Sequence, residues 1–121
     1  MLHLSSSCKF FLWCGDTDMR KGFDSLSGIV SSKMNLDALS GAVFIFLNKK
    51  HNQVKLLLWE GDGFGLYHKR LERGTYEMPS YNDQSGSLSI SSQQLQLILE
   101  GISLKSVRRR KRYQHMTQSS G

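Results

Sequence analysis

Val54-Lys55-Leu56-Leu57-Leu58-Trp59-Glu60-Gly61-Asp62-Gly63-Phe64-Gly65-Leu66-Tyr67-His68-Lys69-Arg70-Leu71-Glu72-Arg73-Gly74 is the stretch that fixes the fold class. Val54 to Trp59 is an apolar, strand-like run. Glu60-Gly61-Asp62-Gly63 supplies the glycines that a tight reversal uses at positive φ, and Phe64 to Leu71 resumes a strand, so the segment predicts a β-hairpin. Alternation along the returning strand puts Tyr67, Lys69 and Leu71 on one side and Leu66, His68 and Arg70 on the other. Each face therefore carries a long basic side chain, and at least one face meets water or an acidic partner.

Working outward, Ala42 to Asn48 predicts another strand with apolar residues on both faces. The basic tip Lys49-Lys50-His51-Asn52 turns it back into Gln53 to Trp59. Three consecutive strands form an antiparallel meander. Gly74 to Pro79 reads as a short edge piece that ends at Pro79, which has no N–H for a ladder, and Tyr81 to Ser87 reads as a polar loop. Toward the N-terminus, Lys9-Phe10-Phe11-Leu12-Trp13-Cys14 is an aromatic strand ended by Gly15. Asp16 or Thr17 then caps a helix with its apolar stripe on Met19, Phe23, Leu26, Val30 and Met34. Arg20, Lys21, Asp24, Ser27 and Ser31 fall away from that stripe, toward solvent or a partner. Gly22 inside such a helix costs up to about 1 kcal/mol against alanine and implies close packing there. Asn35 to Gly41 is a connection. Near the other end, Ser91-Ser92-Gln93-Gln94 matches a capping box ahead of a stripe of Leu95, Ile98, Leu99 and Ile102, with Gly101 as the C-cap.

The expected fold is α+β: an antiparallel β-meander with an N-terminal strand, covered by two helices that lie on one face of the sheet. The expected core includes Phe11, Trp13, Phe23, Leu26, Phe44, Phe46, Leu56, Leu58 and Leu99. At 121 residues with one proline, the chain suits one domain over residues 1–104 and a basic, flexible tail over 105–121. The first seven residues lack the charged and apolar regions of a signal peptide and no later run approaches a bilayer span, so a cytoplasmic location is expected.

The net charge of +6 is unevenly spread. Lys105, Arg108, Arg109, Arg110, Lys111 and Arg112 lie beyond Gly101 with no acid among them, which leaves ten of the 16 basic residues to balance all ten acids in positions 1–100. Such a block resists folding alone and serves as an arm for nucleic acid, or is merely solvated. Cys8 and Cys14, six residues apart on a strand, would stand roughly 20 Å apart. That is beyond disulfide reach and matches no zinc spacing, so buried reduced thiols are expected.

Several ordered motifs carry a family resemblance: Thr17-Asp18-Met19-Arg20-Lys21-Gly22-Phe23-Asp24, Ser40-Gly41 with Val43-Phe44-Ile45-Phe46, Val54-Lys55-Leu56-Leu57 and its Trp59, Lys69-Arg70-Leu71-Glu72-Arg73-Gly74, Met78-Pro79, and Leu99-Glu100-Gly101-Ile102. Together they resemble the TnpB accessory proteins of the insertion sequence 66 family of transposons. The resemblance implies a role in transposition, beside the transposase and other proteins of the same element.

Catalysis is not expected. A two-metal DNA-cutting site needs convergent carboxylates. Asp16 and Asp18 are accounted for by helix capping, Asp62 by its turn, and Glu72 by ion pairing with Arg70 and Arg73, while Asp24 and Glu60 complete no recognisable set. The histidines at 3, 51, 68 and 115 form no triad or ligand pattern, although His68 beside Lys69 is within reach of a phosphate as well as being an ordinary half-exposed strand residue. No phosphate-binding glycine loop is present, and no cofactor or metal is called for. Trp13, Trp59, Phe64 and Tyr67 suit stacking on single strands, though core filling is the favoured role of the tryptophans. What remains is cationic recognition. Lys49, Lys50 and the tail from Lys105 to Arg112 are the candidates for non-specific DNA phosphate contacts, and Lys69, Arg70 and Arg73 for docking on a transposase. A pure protein-interaction module is the alternative, and a small metal-dependent nuclease a weaker one.

Overall fold

The computed structural model describes residues 8–78 and 86–100. Its elements in chain order are β1 (Phe10–Asp16), α1 (Phe23–Ser32), β2 (Val43–Leu47), β3 (Gln53–Trp59), β4 (Phe64–Arg70), β5 (Ser87–Ile90) and α2 (Ser92–Glu100). The strands form one mixed sheet in the order β4-β3-β2-β1-β5. The α+β class and the meander β2-β3-β4 are as the sequence predicts, with both hairpins antiparallel and in unbroken register. The N-terminal strand joins this meander in parallel, Phe10 opposite Val43 and Leu12 opposite Ile45, with α1 as the crossover.

The helices divide between the two faces of the sheet, where the sequence had suggested one shared face. Phe10, Leu12, Val43, Ile45, Leu47, Val54, Leu56 and Leu58 point to the side covered by Leu95 and Ile98 of α2. Phe44, Phe46 and Leu57 point to the side covered by Leu26, Ile29 and Val30 of α1. The cause is burial. All five residues of β2 are buried, and so are Val54 to Leu58 of β3, so neither face of the central strands can be left to water.

α1 begins later than the capping pattern suggests. Its N-cap is Gly22, with no side-chain cap, while Asp16 ends β1 and Thr17 donates its N–H to the Leu47 carbonyl at 2.9 Å. Asp18 closes a turn instead. Gly22 reflects no close packing, since a Cβ there would meet nothing within 4 Å. Because the helix starts at Phe23, that ring falls outside the core and is 47% exposed. The helix stops where Lys33 and Met34 both donate to the Ile29 carbonyl and Asn35 adopts φ 56°, a left-handed conformation that asparagine tolerates. Within β1 the fully buried residues are Phe10 and Leu12, while Phe11 and Trp13 are half-buried, as is Leu99 of α2.

β5 begins at Ser87, the last residue of the expected polar loop, and takes in Leu88, Ser89 and Ile90, for which the sequence predicts no element. It pairs antiparallel with β1, Phe10 opposite Ile90 and Trp13 opposite Ser87. Its entrance is fixed by Gly86, whose carbonyl accepts from the Cys14 N–H at 2.7 Å. A Cβ on Gly86 would come within 2.9 Å of the Trp13 ring, and its φ of +83° also favours glycine. Residues 74–78 form no strand. Tyr76 instead turns inward to 1% exposure, its N–H donating to the His51 carbonyl at 2.7 Å. The capping box of α2 forms in both directions: Ser91 Oγ accepts from the Gln94 N–H at 3.1 Å, and Gln94 Oε1 accepts from the Ser91 N–H at 2.9 Å. Pro79, the Tyr81–Ser85 part of the expected loop, Gly101, Ile102, the expected boundary between residues 104 and 105 and the basic block from Lys105 to Arg112 lie outside the described residues.

Two-sided burial gives a direct stability test. Leu56→Ala and Leu57→Ala empty opposite faces of the same strand, and each should cost about 2–5 kcal/mol in chemical denaturation. Phe23→Ala should cost under about 1 kcal/mol, as an exposed side chain does.

Candidate nucleic-acid interface

The β1–α1 connection, the β2–β3 hairpin tip and the end of β4 meet around a concave surface of about 680 Å³. Its lining includes Asp16, Thr17, Asp18, Met19 and Arg20 from the connection, Asn48, Lys49, Lys50, Asn52 and Gln53 from the tip, and Arg70 from β4. Four of these side chains are basic and two acidic, so the concavity is net cationic.

Each wall has a local cause. Asn48 folds the tip: its Oδ1 accepts from the N–H groups of Asn52 and Gln53 at 3.0 and 2.9 Å, and its Nδ2 donates to Asn52 Oδ1 at 2.6 Å. His51 takes φ 57° to complete the reversal. Lys49 and Lys50 are thereby left exposed on a rigid turn. On the opposite wall Asp18 accepts the Arg20 backbone N–H at 2.9 Å and holds the Arg20 guanidinium through both carboxylate oxygens, the shortest contact being 2.7 Å. The Asp18 carboxyl is held well below the usual carboxylate range, chiefly by the Arg20 side-chain bond and then by the Arg20 backbone N–H, and the Arg20 guanidinium is raised in turn.

The connection is anchored from beneath by Lys55. This residue is 7% exposed on the α1 side of β3, and its Nζ donates to the Lys21 carbonyl at 2.8 Å. A buried ammonium needs such a partner. Thr17, 3% exposed, also lines the concavity, and its Oγ1 has no hydrogen-bond partner among the described residues.

Of the residues singled out from sequence, Lys49, Lys50 and Arg70 come together here. Lys69 does not join them: it stands opposite Val54 on the α2 side, whereas Arg70 stands opposite Gln53 on the other. Arg73 lies beyond the strand in an exposed turn, and Glu72 reaches Arg70 at 3.6 Å, the ion pair that the sequence suggested. His68 shares the Arg70 face and lies 2.9 Å from Gln53 Oε1. Its imidazole is pushed below the ordinary value by desolvation first, then by the charges of Lys55 and Arg70. Arg20 and the anchoring Lys55 were not assigned a site role from sequence, although a lysine in the middle of Val54-Lys55-Leu56-Leu57-Leu58 is a visible signal that something must receive its charge.

Among the described residues no group of three His, Cys, Asp or Glu is placed to hold a metal ion, and Cys8 and Cys14 are half-buried thiols. A second concavity, of about 600 Å³ near Cys8, Phe11 and Leu36, carries only Lys9 and Asp37 as charged groups. Among the described residues no helix is long and apolar enough to cross a membrane.

The fold and the concavity define a small α+β module with a cationic surface. The chain belongs to the family described as IS66 Orf2 like protein, whose model matches residues 8–109. It is similar to the uncharacterized protein y4hO of Sinorhizobium fredii, 35% identical over 102 residues that cover 84% of this chain and 87% of that one. It is also similar to the uncharacterized protein y4jC of the same organism, 30% identical over 93 residues that cover 77% of this chain and 78% of that one. No solved structure matches it. Membership makes this a transposition-associated accessory protein of an insertion sequence.

Two titrations follow from the site. In Arg20→Ala the Asp18 carboxyl should rise toward the ordinary carboxylate range but stay below it, read by carbon NMR, because the side-chain bond and charge of Arg20 are removed while the backbone N–H of residue 20 still donates to it. His68 should titrate below about 6.5 and move back toward that value in Lys55→Met. Since its neutral form is favoured in the fold, the contribution of His68 to stability is present above the unfolded midpoint. It is lost as the pH falls through the folded one.

Proposed function

We propose that the protein is a non-catalytic accessory factor that holds DNA by phosphate contacts and docks on the transposase of its element. The observation that carries the DNA reading is the convergence of Arg20, Lys49, Lys50 and Arg70 on one concave surface. Lys49 and Lys50 sit on a rigid tip, so their charges meet a polyanion with little ordering of the backbone. The basic residues Lys105, Arg108, Arg109, Arg110, Lys111 and Arg112 extend this contact as a charged arm. No base-reading helix is needed for phosphate binding, which gives affinity without sequence preference.

The docking role belongs to β4 and the turn after it, where Lys69, Arg70 and Arg73 are displayed at fixed positions. A regular strand presents charge with geometry, and that is what protein recognition requires. An interaction module without DNA binding is the second reading, and the exposure of His68, Lys69 and Arg70 in sequence along one strand favours it. The cytoplasm, where element DNA and transposase meet, is the proposed location.

Salt-dependent titration on a non-specific duplex separates these readings. If the tail neutralises three to six phosphates, truncation after Leu104 should remove about 3 to 5 from the slope of log affinity against log salt. Lys49→Glu with Lys50→Glu should remove about 2 more. Both variants should still retain the transposase in a pull-down. A full-length chain with no salt-dependent DNA affinity would leave only the interaction module.

A further inference from the structure

β4 is the outermost strand at one edge of the sheet, and among the described residues nothing pairs with its outer side. The phase of its ladder can be worked out. Glu60 N–H donates to the Gly63 carbonyl and Leu71 N–H to the Asn52 carbonyl, each at 2.8 Å, so both are hydrogen-bonded pairs of the antiparallel register. Alternation then assigns the backbone groups of Gly65, Tyr67 and Lys69 to β3. The bond from Asn48 N–H to the Gln53 carbonyl, 3.3 Å on the other side of β3, agrees, because it commits the odd-numbered residues of β3 to β2 and leaves the even-numbered ones to β4. The N–H and C=O groups of Phe64, Leu66, His68 and Arg70 therefore face outward.

Such an edge is a template for another strand, and proteins blunt it with proline, bulges, short length or charge. β4 has no proline, runs seven residues, and pairs with β3 without a register shift. Charge alone protects it, and that charge has one sign. Lys69 projects to one face and Arg70 to the other, both exposed. Two copies meeting edge to edge would bring like charges together where their basic ends overlap and leave them without an opposite charge where they do not, whereas a strand bearing carboxylates would meet complementary ones on either face.

We propose that β4 accepts an acidic extended segment of a partner protein as a sixth strand, its backbone bonding to Phe64, Leu66, His68 and Arg70 and its carboxylates meeting Lys69 on one face and Arg70 on the other. This rests on the docking role given to β4 above and specifies how that docking is made. Main-chain bonds supply affinity and the two cations select the sign of the partner.

The test uses the full chain, isotopically labelled, with a short peptide in which pairs of adjacent glutamates alternate with pairs of valines, so that both faces of the added strand carry carboxylates, and its lysine counterpart. The glutamate peptide should slow hydrogen exchange at the amides of Phe64, Leu66, His68 and Arg70, and the lysine peptide should not. His68→Pro keeps both cations and the inward ladder but removes an outward donor, so it should weaken the glutamate peptide by about tenfold while the amide spectrum stays dispersed. Lys69→Glu with Arg70→Glu should weaken it at least as much. Unchanged binding by a folded His68→Pro, protection confined to other residues, or no binding of the glutamate peptide would overturn strand addition. Protection of these amides that grows with protein concentration alone would assign the edge to a second copy instead. A chain that retains the transposase yet leaves β4 unprotected loses only this inference, whereas one that retains neither peptide nor transposase loses the docking role as well.

Discussion

The constraint on which the structure depends is that its two central strands are buried on both faces. β2 and the middle of β3 offer water nothing on either side. A sheet of this kind needs cover above and below, and a short chain can supply it only by sending one helix to each face. Placing α1 on one side between β1 and β2 makes the N-terminal strand parallel to its neighbour, because a crossover connection returns the chain to the same end of the sheet. The other side is left for α2, and β5 brings the chain back along β1 to deliver it.

The same burial creates the surface feature. Lys55 is the one charged residue in the buried part of β3, and its ammonium reaches up to the Lys21 carbonyl. That bond, with the one from Thr17 N–H to the Leu47 carbonyl, ties the β1–α1 connection to the end of the sheet where the Asn48 turn presents two lysines. Asp18 then fixes the Arg20 guanidinium at the rim. A core strand, a loop and a hairpin tip are coupled through backbone carbonyls. The cationic concavity follows from how the sheet is closed at that end.

The edge strand follows from the opposite circumstance. β4 has a partner on one side only, and its side chains on the α1 face thin from half-buried Phe64 and Leu66 to exposed His68 and Arg70 along its length. One end of β4 is seated on the sheet. The other, cationic end borders the concavity, so the phosphate-binding and docking roles proposed for this protein share Arg70 and divide at Lys69.

The hairpins, the basic tip, the faces of β4 and the capping box of α2 were legible in the sequence because each depends on residues close together along the chain. Period-two alternation fixes which way Lys69 and Arg70 point, and Ser91 meets Gln94 within a single helical turn. β5 had a legible signal too, the alternation of Ser87-Leu88-Ser89-Ile90, but so short a run becomes a strand only when Phe10 to Trp13 are there to pair with it. The start of α1 was misjudged for a related reason: Asp16 and Asp18 are good caps locally, yet the parallel ladder draws Asp16 into β1, and Arg20 claims the Asp18 carboxylate. The hairpins of the meander, the α2 cap, the balance of charge and the family are thus written in residue spacing and composition. The parallel seat of β1, the extent of α1, the division of helices between faces, and the meeting of Arg20, Lys49, Lys50 and Arg70 come from contacts between segments far apart in the chain, which local propensity and periodicity do not encode.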